Sequence, residues 1–304
     1  MAEADLEFGA FVPRWDQYST PEGWRRVAQA SESAGFAWVG RGDRVVYPAD
    51  PDDTNHRPAA DLFSVLATVI CETDSIQVGT NVCVAPYRHP VDLLTEIMTL
   101  DVLSNGRFEF GVGAGWFEGE FDALGVSYEE RGARTNEFLE IFDAARHNDV
   151  ISYDGEHYAF DPISVHPGPV TPGGPPLWLG GSSSAAFRRT AEHDGVGWVI
   201  SGSSPDEVRT DRERLLRAWN DYDRTGEPRV GVNVNAYLSE QHAGNDTPLV
   251  GTRDEVLEGI SAYREAGVDR INLTLSTTPS GDRMSIDERV DQIERFGAEI
   301  MPRI

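Results

Sequence analysis

The sequence predicts a single (β/α)8 TIM barrel spanning residues 1–304. Short β-like runs alternate with amphipathic helical runs along the whole chain, and eight such pairs can be counted. A chain of 304 residues, 39% of them hydrophobic, is long enough for one such barrel and its core. A doubly wound open sheet rarely needs eight such regular units, so the pattern favours the closed barrel.

The predicted elements follow one another in strict alternation. The strands are residues 6–12, 38–41, 76–85, 108–113, 177–180, 197–201, 229–238 and 270–275. The helices are residues 21–34, 60–72, 90–103, 131–146, 183–193, 205–225, 253–266 and 285–300. Thr20 and Ser204, each followed by proline, are typical helix N-caps, and Gly35 and Gly267 follow helices as C-terminal caps should.

Three long loops interrupt this repeat. Residues 149–176 contain six prolines and precede the fifth strand, so we expect an insertion there, covering one end of the barrel. Residues 45–58 and 276–284 follow the second and eighth strands. In a barrel these two loops belong to the rim that carries the active site, where they would select the substrate.

The charge of the chain excludes some partners. A net charge of −25, with a pI near 4.5, argues against nucleic acid and against anionic membrane surfaces, because both would repel the protein. The sequence has no apolar run long enough to span a membrane, and its acidic N-terminus does not resemble a signal peptide. The two cysteines, Cys71 and Cys83, do not form a CxxC motif, which suits a reducing compartment. We therefore expect a cytoplasmic protein.

The basic residues are unusual because all 26 are arginine, against 51 acidic residues. This composition resembles that of proteins from salt-in organisms such as haloarchaea. There, molar salt shortens the Debye length to roughly 3 Å and makes self-repulsion tolerable. An arginine-favouring codon bias in an ordinary acidic protein is the alternative. The composition alone therefore leads us to expect halophily.

Two glycine-rich segments at strand ends are the strongest binding candidates. The run "GVGAGW" at residues 111–116 fails the GxGxxG spacing, and a phosphate-binding Walker loop is excluded because the chain has no lysine. Its small residues would instead let a flat ring approach the backbone, although a tight turn without ligand is the alternative. Gly180, Gly181 and Ser182 follow a strand and open a helix, where N–H groups and the helix dipole favour a phosphate.

Other catalytic motifs are absent from the sequence. The seven histidines show no metal-ligand spacing, and there is no GxSxG nucleophile motif. Asp43, at the end of the second strand, is a candidate polar anchor or acid/base group, and a loop-capping role is equally compatible with its position. Glu118 and Glu120 could act as acids, but a solvated helix start explains them as well. A barrel with ring and phosphate sites but no resident nucleophile indicates a bound cofactor.

Three segments carry a resemblance to a known family. They are "VGTNVCVAPYRHPVDLLTEIMTLDVLSNGRFEFGVGAGWFEGEFDALGVSYEERGARTNEFLEIF", "VISYDGEHYAF" and "PPLWLGGSSSAAFRRTAE". Together they resemble the luciferase-like monooxygenase superfamily, and most closely its flavin- or deazaflavin-dependent oxidoreductases. The resemblance implies a TIM barrel with an insertion before the fifth strand, which binds FMN or the deazaflavin coenzyme F₄₂₀ at the carboxyl rim. It also implies a homodimer, and the predicted helices 60–72 and 90–103 are apolar enough on one face to support one.

The resemblance also assigns cofactor-binding residues by position. It places Thr80, Asn81 and Val82 at a bulge behind the ring, with Asn81–Val82 as the candidate for a cis peptide bond. It places the fourth-strand residues Gly113, Ala114 and Gly115 beside the ring, and the fifth-strand loop at the phosphate. The residues of that loop are Gly180, Gly181 and Ser182.

Asp43 and Arg44 are the candidate catalytic pair. Asp43 matches a rim aspartate that contacts the cofactor, but relatives commonly carry histidine where this chain has Arg44. An arginine stays protonated and is no ordinary general base, and Trp116 stands where the sugar-phosphate dehydrogenases of the family carry an acid. That dehydrogenase activity is therefore disfavoured. Arg44 and Trp116 instead suggest a positive, aromatic-walled pocket for an anionic or aromatic substrate or for the acidic tail of F₄₂₀.

Three functions remain open. The first is an F₄₂₀-dependent oxidoreductase that transfers hydride between the deazaflavin and a small organic substrate, in either direction. The second is an FMN-dependent monooxygenase that uses O₂ and externally supplied reduced flavin. The third is a flavin-binding protein without turnover, for which the replacement of histidine by Arg44 is the main support. The archaeal character of the composition favours the first.

Overall fold

The structure is a computed structural model that describes residues 6–14, 16–46, 60–193, 195–242 and 247–304. Most of the predicted rim loop 45–58 lies outside the described residues. The strands are β1 (Glu7–Phe11), β2 (Trp38–Arg41), β3 (Gln77–Thr80), β4 (Cys83–Val84), β5 (Phe108–Gly113), β6 (Val150–Asp154), β7 (Ala159–Ser164), β8 (Leu177–Gly180), β9 (Gly197–Ser201), β10 (Val230–Leu238), β11 (Leu249–Gly251) and β12 (Arg270–Thr274).

The helices lie between the strands. They are α1 (Pro21–Ser33), α2 (Leu62–Cys71), α3 (Pro90–Ser104), α4 (Glu118–Leu124), α5 (Arg131–Ala145), α6 (Ser184–Glu192), α7 (Pro205–Asp221), α8 (Arg253–Glu265) and α9 (Ile286–Arg295). Thr20 and Ser204 cap α1 and α7 with their side chains, as predicted. Gly35 and Gly267 follow α1 and α8 with φ of 83° and 84°, in the left-handed region that glycine adopts most easily.

Eight parallel strands of the described chain close into a barrel in the order β1-β2-β3-β5-β8-β9-β10-β12. The ring closes where β12 pairs with β1, with Glu7 opposite Arg270. The predicted (β/α)8 TIM barrel is therefore confirmed. Parallel strands covered by helices are buried on both faces, and β5 accordingly has no exposed residue.

The predicted third strand is interrupted. Residues 76–85 form β3 and the short strand β4, and both pair in parallel with β5. Between them lie Asn81 and Val82, whose peptide bond is cis, as expected. The break turns the chain at the carboxyl rim, so that residues 81–84 face the mouth of the barrel.

The insertion before the fifth barrel strand contains an antiparallel hairpin, β6–β7, that the sequence did not predict. Glu137 on α5 accepts hydrogen bonds from the N–H groups of Glu156, His157 and Tyr158 at the tip of the hairpin. The Tyr153 hydroxyl donates to Glu140 of the same helix. These contacts hold the hairpin against the flank of α5, and the expectation that the insertion covers one end of the barrel stays a prediction.

The apolar faces of α2 and α3 are used within the chain. Leu66 and Val69 of α2 and Leu93 and Ile97 of α3 are all fully buried. These faces pack against the barrel and each other and so do not support an intersubunit contact. The homodimer implied by the resemblance stays a prediction.

Candidate functional site

A cavity of about 700 Å³ opens at the carboxyl ends of five neighbouring barrel strands, β2, β3, β5, β8 and β9. This is the end of a barrel at which active sites lie. Ten of the eleven predicted site residues line the cavity. They are Asp43, Arg44, Asn81, Val82, Gly113, Ala114, Gly115, Gly180, Gly181 and Ser182. The structure thus brings these segments together, and the cofactor contacts of each residue remain predictions.

Thr80 is the exception among the predicted residues. Its side chain is 3% exposed and does not line the cavity. The hydroxyl accepts a hydrogen bond from the Gly111 N–H at 2.8 Å and donates to the Gly111 carbonyl at 2.6 Å. Thr80 therefore fastens β3 to β5, and the prediction that it binds the cofactor is corrected to this structural role.

A network of side-chain amides forms the floor of the cavity. Asn81 and Asn233 of β10 exchange two hydrogen bonds, of 3.0 and 2.9 Å. Asn233 also donates to the Ser201 hydroxyl and accepts from Asn272. Reciprocal bonds of this kind satisfy the Asn81 and Asn233 amides, whereas the buried Asn272 Oδ1 has no partner among the described residues. Sequence reasoning missed Asn233, because it lies 152 residues from its partner in the chain and within a strand rather than at its end.

The wall beside Val82 is formed by backbone without side chains. A Cβ on Gly113 would lie 3.0 Å from a Val82 methyl group, and a Cβ on Gly180 would lie at the same distance from the other. Gly115 has a different role: its φ is 81°, and a Cβ there would lie 2.7 Å from Val84 and 3.0 Å from Phe121. Gly113 and Gly180 make room for the Val82 side chain, whereas Gly115 is required by the turn that follows β5.

Asp43 is held by Arg88. Two nitrogens of the Arg88 guanidinium approach the Asp43 carboxylate at 2.6 and 3.3 Å, and the Val84 N–H donates to it at 3.1 Å. The Asp43 side chain is only 1% exposed. Burial and the Asp43 charge raise the pKa of the adjacent Cys83 thiol well above its usual value, so this cysteine is unreactive. The geometry favours an anchoring role for Asp43 rather than proton transfer.

Arg44 forms a buried ion pair with Glu120 of α4. The distance from Arg44 Nη1 to Glu120 Oε2 is 2.9 Å, and the Trp116 ring lies 5.2 Å from the guanidinium carbon. Glu120 also accepts hydrogen bonds from the Val45 N–H and the Tyr87 hydroxyl. Burial and the bond to Glu120 raise the pKa of Tyr87, so it remains a neutral donor.

Glu120 corrects the interpretation made from the sequence. Its side chain is only 3% exposed, so it is not a solvated residue at the start of a helix. Glu118, in the same turn, is exposed as that interpretation requires. The spacing of residues in the sequence could not show that Glu120 is buried and Glu118 exposed, because the arginine that pairs with Glu120 lies 76 residues earlier.

The N-terminus of α6 forms one end of the cavity. Ser183 caps the helix by accepting a hydrogen bond from the Ala186 N–H, and Ser182 and Ser183 both line the cavity. The N–H groups of the first helical turn have no acceptor within the helix and carry the positive end of its dipole. Such an end suits a phosphate group.

Two arginines that the sequence did not single out lie at this end. Arg131 and Arg189 line the cavity, and no carboxylate of the described chain forms an ion pair with either. Arg189 donates instead to the Asn136 side chain and the Gly132 carbonyl. Burial lowers the pKa of Arg189, and the guanidiniums of Arg188 and Arg131 lower it further. A cluster of unneutralised positive charge in so acidic a chain favours an anionic ligand.

The described residues contain neither a metal centre nor a membrane-spanning helix. No group of three or more histidine, cysteine, aspartate or glutamate residues in the described ranges could hold a metal ion. His89 serves as the N-cap of α3, where its Nδ1 accepts from the Val91 N–H. None of the described helices is long and apolar enough to cross a membrane.

Two solved structures share the fold over nearly the whole chain. Monooxygenase RslO1 from Streptomyces bottropensis superimposes with a TM-score of 0.81 at 18% identity, covering 98% of this chain and 99% of that one. The coenzyme F₄₂₀ dependent tetrahydromethanopterin reductase from Methanopyrus kandleri gives a TM-score of 0.79 at 17% identity, with the same coverage. At these identities the likeness establishes the fold alone.

Comparison of sequences identifies the family. Protein y4vJ of Sinorhizobium fredii is 31% identical over 68% of this chain and 61% of its own length. The FMNH(2)-dependent dimethylsulfone monooxygenase of Pseudomonas fluorescens is 29% identical over 70% of this chain and 56% of its own length. Residues 7–244 match the sequence model of the family described as luciferase-like monooxygenase. The chain belongs to the luciferase-like monooxygenase family, whose members are oxidoreductases.

Proposed function

We propose that this protein is an F₄₂₀-dependent oxidoreductase that transfers a hydride between the deazaflavin and a small organic substrate. The observation that carries the proposal is the convergence of ten predicted site residues on one cavity at the carboxyl end of the barrel. Flavins and deazaflavins share a flat ring and a phosphate-bearing side chain. The cavity offers a flat wall for the first and a helix N-terminus for the second.

The residues of the cavity fit such a cofactor. Gly113 and Gly180 let the Val82 side chain lie against their backbone, and Val82, which lines the cavity, would offer a planar group an apolar surface. Ser182, Arg131 and Arg189 surround the N-terminus of α6 and supply the donors that a phosphate needs. Bound there, the reduced cofactor would supply the hydride.

The charged residues of the rim would orient the ligands. Arg44 is paired with Glu120 and lies beside the Trp116 ring, so it would shape this wall of the cavity rather than neutralise an anionic ligand. Asp43 is fixed by Arg88 and would act as a rigid acceptor at the edge of the cavity. The amides of Asn81 and Asn233 are occupied by each other and would keep the floor of the cavity in place.

An FMN-dependent monooxygenase is the second candidate. It is favoured by the 29% identity with the FMNH(2)-dependent dimethylsulfone monooxygenase. F₄₂₀ is favoured instead by the arginine-rich lining, since the acidic tail of F₄₂₀ adds carboxylates that FMN lacks. The two candidates differ in the cofactor that binds and in the use of O₂.

Titration of the purified protein with F₄₂₀ and with FMN in high salt, followed by fluorescence quenching, tests the proposal. We expect tighter binding of F₄₂₀. Micromolar binding of FMN without binding of F₄₂₀, together with O₂ uptake when reduced FMN is supplied, would favour the monooxygenase. Failure of both cofactors to bind would contradict both candidates.

The Ser182→Asp variant tests the phosphate position. An acidic residue before a helix is favourable for the helix dipole, so the fold should tolerate it, whereas a phosphate at the same place should be repelled. Ser203 occupies the equivalent position before α7 but does not line the cavity, so Ser203→Asp is a matched control. We expect Ser182→Asp to weaken cofactor binding by about tenfold or more, and Ser203→Asp to bind normally.

A further inference from the structure

The mouth of the barrel is divided between two cavities. Five consecutive barrel strands end at the larger one described above. The other three, β12, β1 and β10, are also consecutive in the closed ring and end at a second cavity of about 200 Å³. Arg14, which follows β1, lines both cavities. A ligand in the second cavity would therefore lie next to the proposed cofactor site without occupying it.

The lining of the second cavity carries a surplus of positive charge. Arg14, Arg283 and Arg289 line it, against one carboxylate, that of Asp16. Asp16 is already paired with Arg289, and the side chains of both are less than one-tenth exposed. Arg283 forms no ion pair with any described residue, in a chain with 51 acidic residues and 26 arginines. The cavity thus has one guanidinium whose charge the described protein does not neutralise.

Arg283 is held in place by its backbone. It forms an antiparallel bridge with Thr277, and the Met284 N–H donates to the Ser276 carbonyl at 3.1 Å. These bonds close the loop 276–284, one of the two rim loops in which we expected substrate selection. The loop therefore fixes the backbone of Arg283, an exposed residue, at the wall of the second cavity.

The rest of the wall is partly apolar. Phe11, Val12 and Leu275 are buried residues that line it. A volume of about 200 Å³ takes a molecule of only a few carbon atoms, since one liquid water occupies about 30 Å³. An apolar wall facing a guanidinium suits a short hydrocarbon group that ends in a carboxylate.

We propose that the second cavity is the substrate site and that it binds a short organic acid, with Arg283 as the residue that recognises the carboxylate. This inference rests on the proposed function, because the substrate must lie beside the cofactor. Arg14, at the boundary of the two cavities, would face both the carboxylate and the cofactor. The proposal gives a chemical class to a substrate that the sequence left open.

Equilibrium dialysis of radiolabelled propionate against the full-length protein tests the proposal, at fixed salt and both without cofactor and with saturating F₄₂₀ or FMN. Propionamide, which has the same shape without the charge, is the competitor. The variants are Arg283→Gln, which removes the charge, Arg283→Lys, which keeps it, and Arg209→Gln. Arg209 is an exposed arginine of α7 that lines neither cavity, so it controls for the loss of one positive charge.

We expect saturable propionate binding that propionamide does not displace. Arg283→Gln should weaken it by about tenfold or more, Arg283→Lys by less, and Arg209→Gln should leave it unchanged. Cofactor affinity should be the same in all variants. Absence of saturable binding by the unmodified protein, equal binding by Arg283→Gln, or displacement by propionamide would overturn the inference. The protein could also bind propionate through Arg283 but bind neither cofactor. That result would support the anion site and contradict the proposed function.

Discussion

Arg44 and Glu120 form a buried ion pair at the rim of the larger cavity, with 2.9 Å between Nη1 and Oε2. Glu120 also accepts from the Tyr87 hydroxyl and from the backbone of the segment after Arg44. This one carboxylate therefore joins α4, the end of β2 and the chain after β4. The pair explains how an arginine is accommodated where the family resemblance led us to expect histidine.

The first prediction concerns this ion pair. Glu120→Gln would remove the carboxylate charge from the buried Arg44–Glu120 pair, so we expect the free energy of unfolding to fall by about 3 kcal/mol. Glu118→Gln removes an exposed carboxylate from the same turn and should change it by less than about 0.5 kcal/mol. Urea denaturation of both variants measures the difference. Equal stabilities would show that the buried pair contributes nothing specific.

The second prediction concerns pH. Burial, together with the nearby carboxylates of Asp92, Asp61 and Asp43, raises the pKa of Glu96 from 4.5 to about 7, although Arg88 opposes this shift. Between pH 4.5 and about 7, Glu96 is protonated in the folded protein but has lost its proton in the unfolded chain. The contribution of Glu96 to stability is therefore fully present below about pH 4.5 and declines as the pH rises through about 7.

The Glu96→Gln variant removes this titration. Its stability should equal that of the unmodified protein near the acid end of the range and exceed it above about pH 7. Chemical denaturation at a series of pH values gives the two curves. Parallel curves across that range would mean that Glu96 does not titrate as the structure indicates.

The third prediction concerns the amide floor. Asn233→Ala removes a partner from Asn81, Ser201 and Asn272 together, so we expect a loss of about 2 kcal/mol in stability and weaker cofactor binding. Asn220, an exposed residue of α7 that lines neither cavity, makes a suitable alanine control. Unchanged stability and cofactor affinity in Asn233→Ala would show that the amide network does not support the site.

The fourth prediction concerns salt. With a net charge of −25, the folded protein repels itself, and added salt screens that repulsion. We expect the thermal unfolding midpoint to rise steadily as KCl increases from about 0.2 M to about 3 M, where the Debye length falls below roughly 3 Å. A midpoint that does not rise with KCl would contradict the expectation of halophily.

The sequence predicted the barrel well because local patterns decide its elements. The buried strand β5 (Phe108–Gly113) was predicted with its observed bounds, and Gly35 and Gly267 marked helix ends because only glycine adopts their backbone angles easily. Gly180 and Ser182 could also be assigned to the site. They lie at the carboxyl end of a strand, and the topology of a parallel barrel places all such ends on one rim.

What the sequence could not predict depends on partners far away in the chain. Thr80 bonds to Gly111, 31 residues later, and Glu120 pairs with Arg44, 76 residues earlier. Neither distance corresponds to a helical or strand period, so no local pattern shows which side chain turns inward. Arg131 and Arg189 were missed because an arginine on a helix is usually a surface residue, and only the folded cavity shows that neither forms an ion pair with a carboxylate of the described ranges.

The most direct test of the central claim compares F₄₂₀ and FMN with their phosphate-free riboside forms. The claim is that the larger cavity binds a flavin-type ring with its phosphate at the N-terminus of α6. Fluorescence titration in high salt should show at least one phosphorylated cofactor binding about tenfold or more tightly than its riboside, with the difference lost in Ser182→Asp. Equal affinity of phosphorylated and phosphate-free forms, or no binding of either cofactor, would contradict the claim.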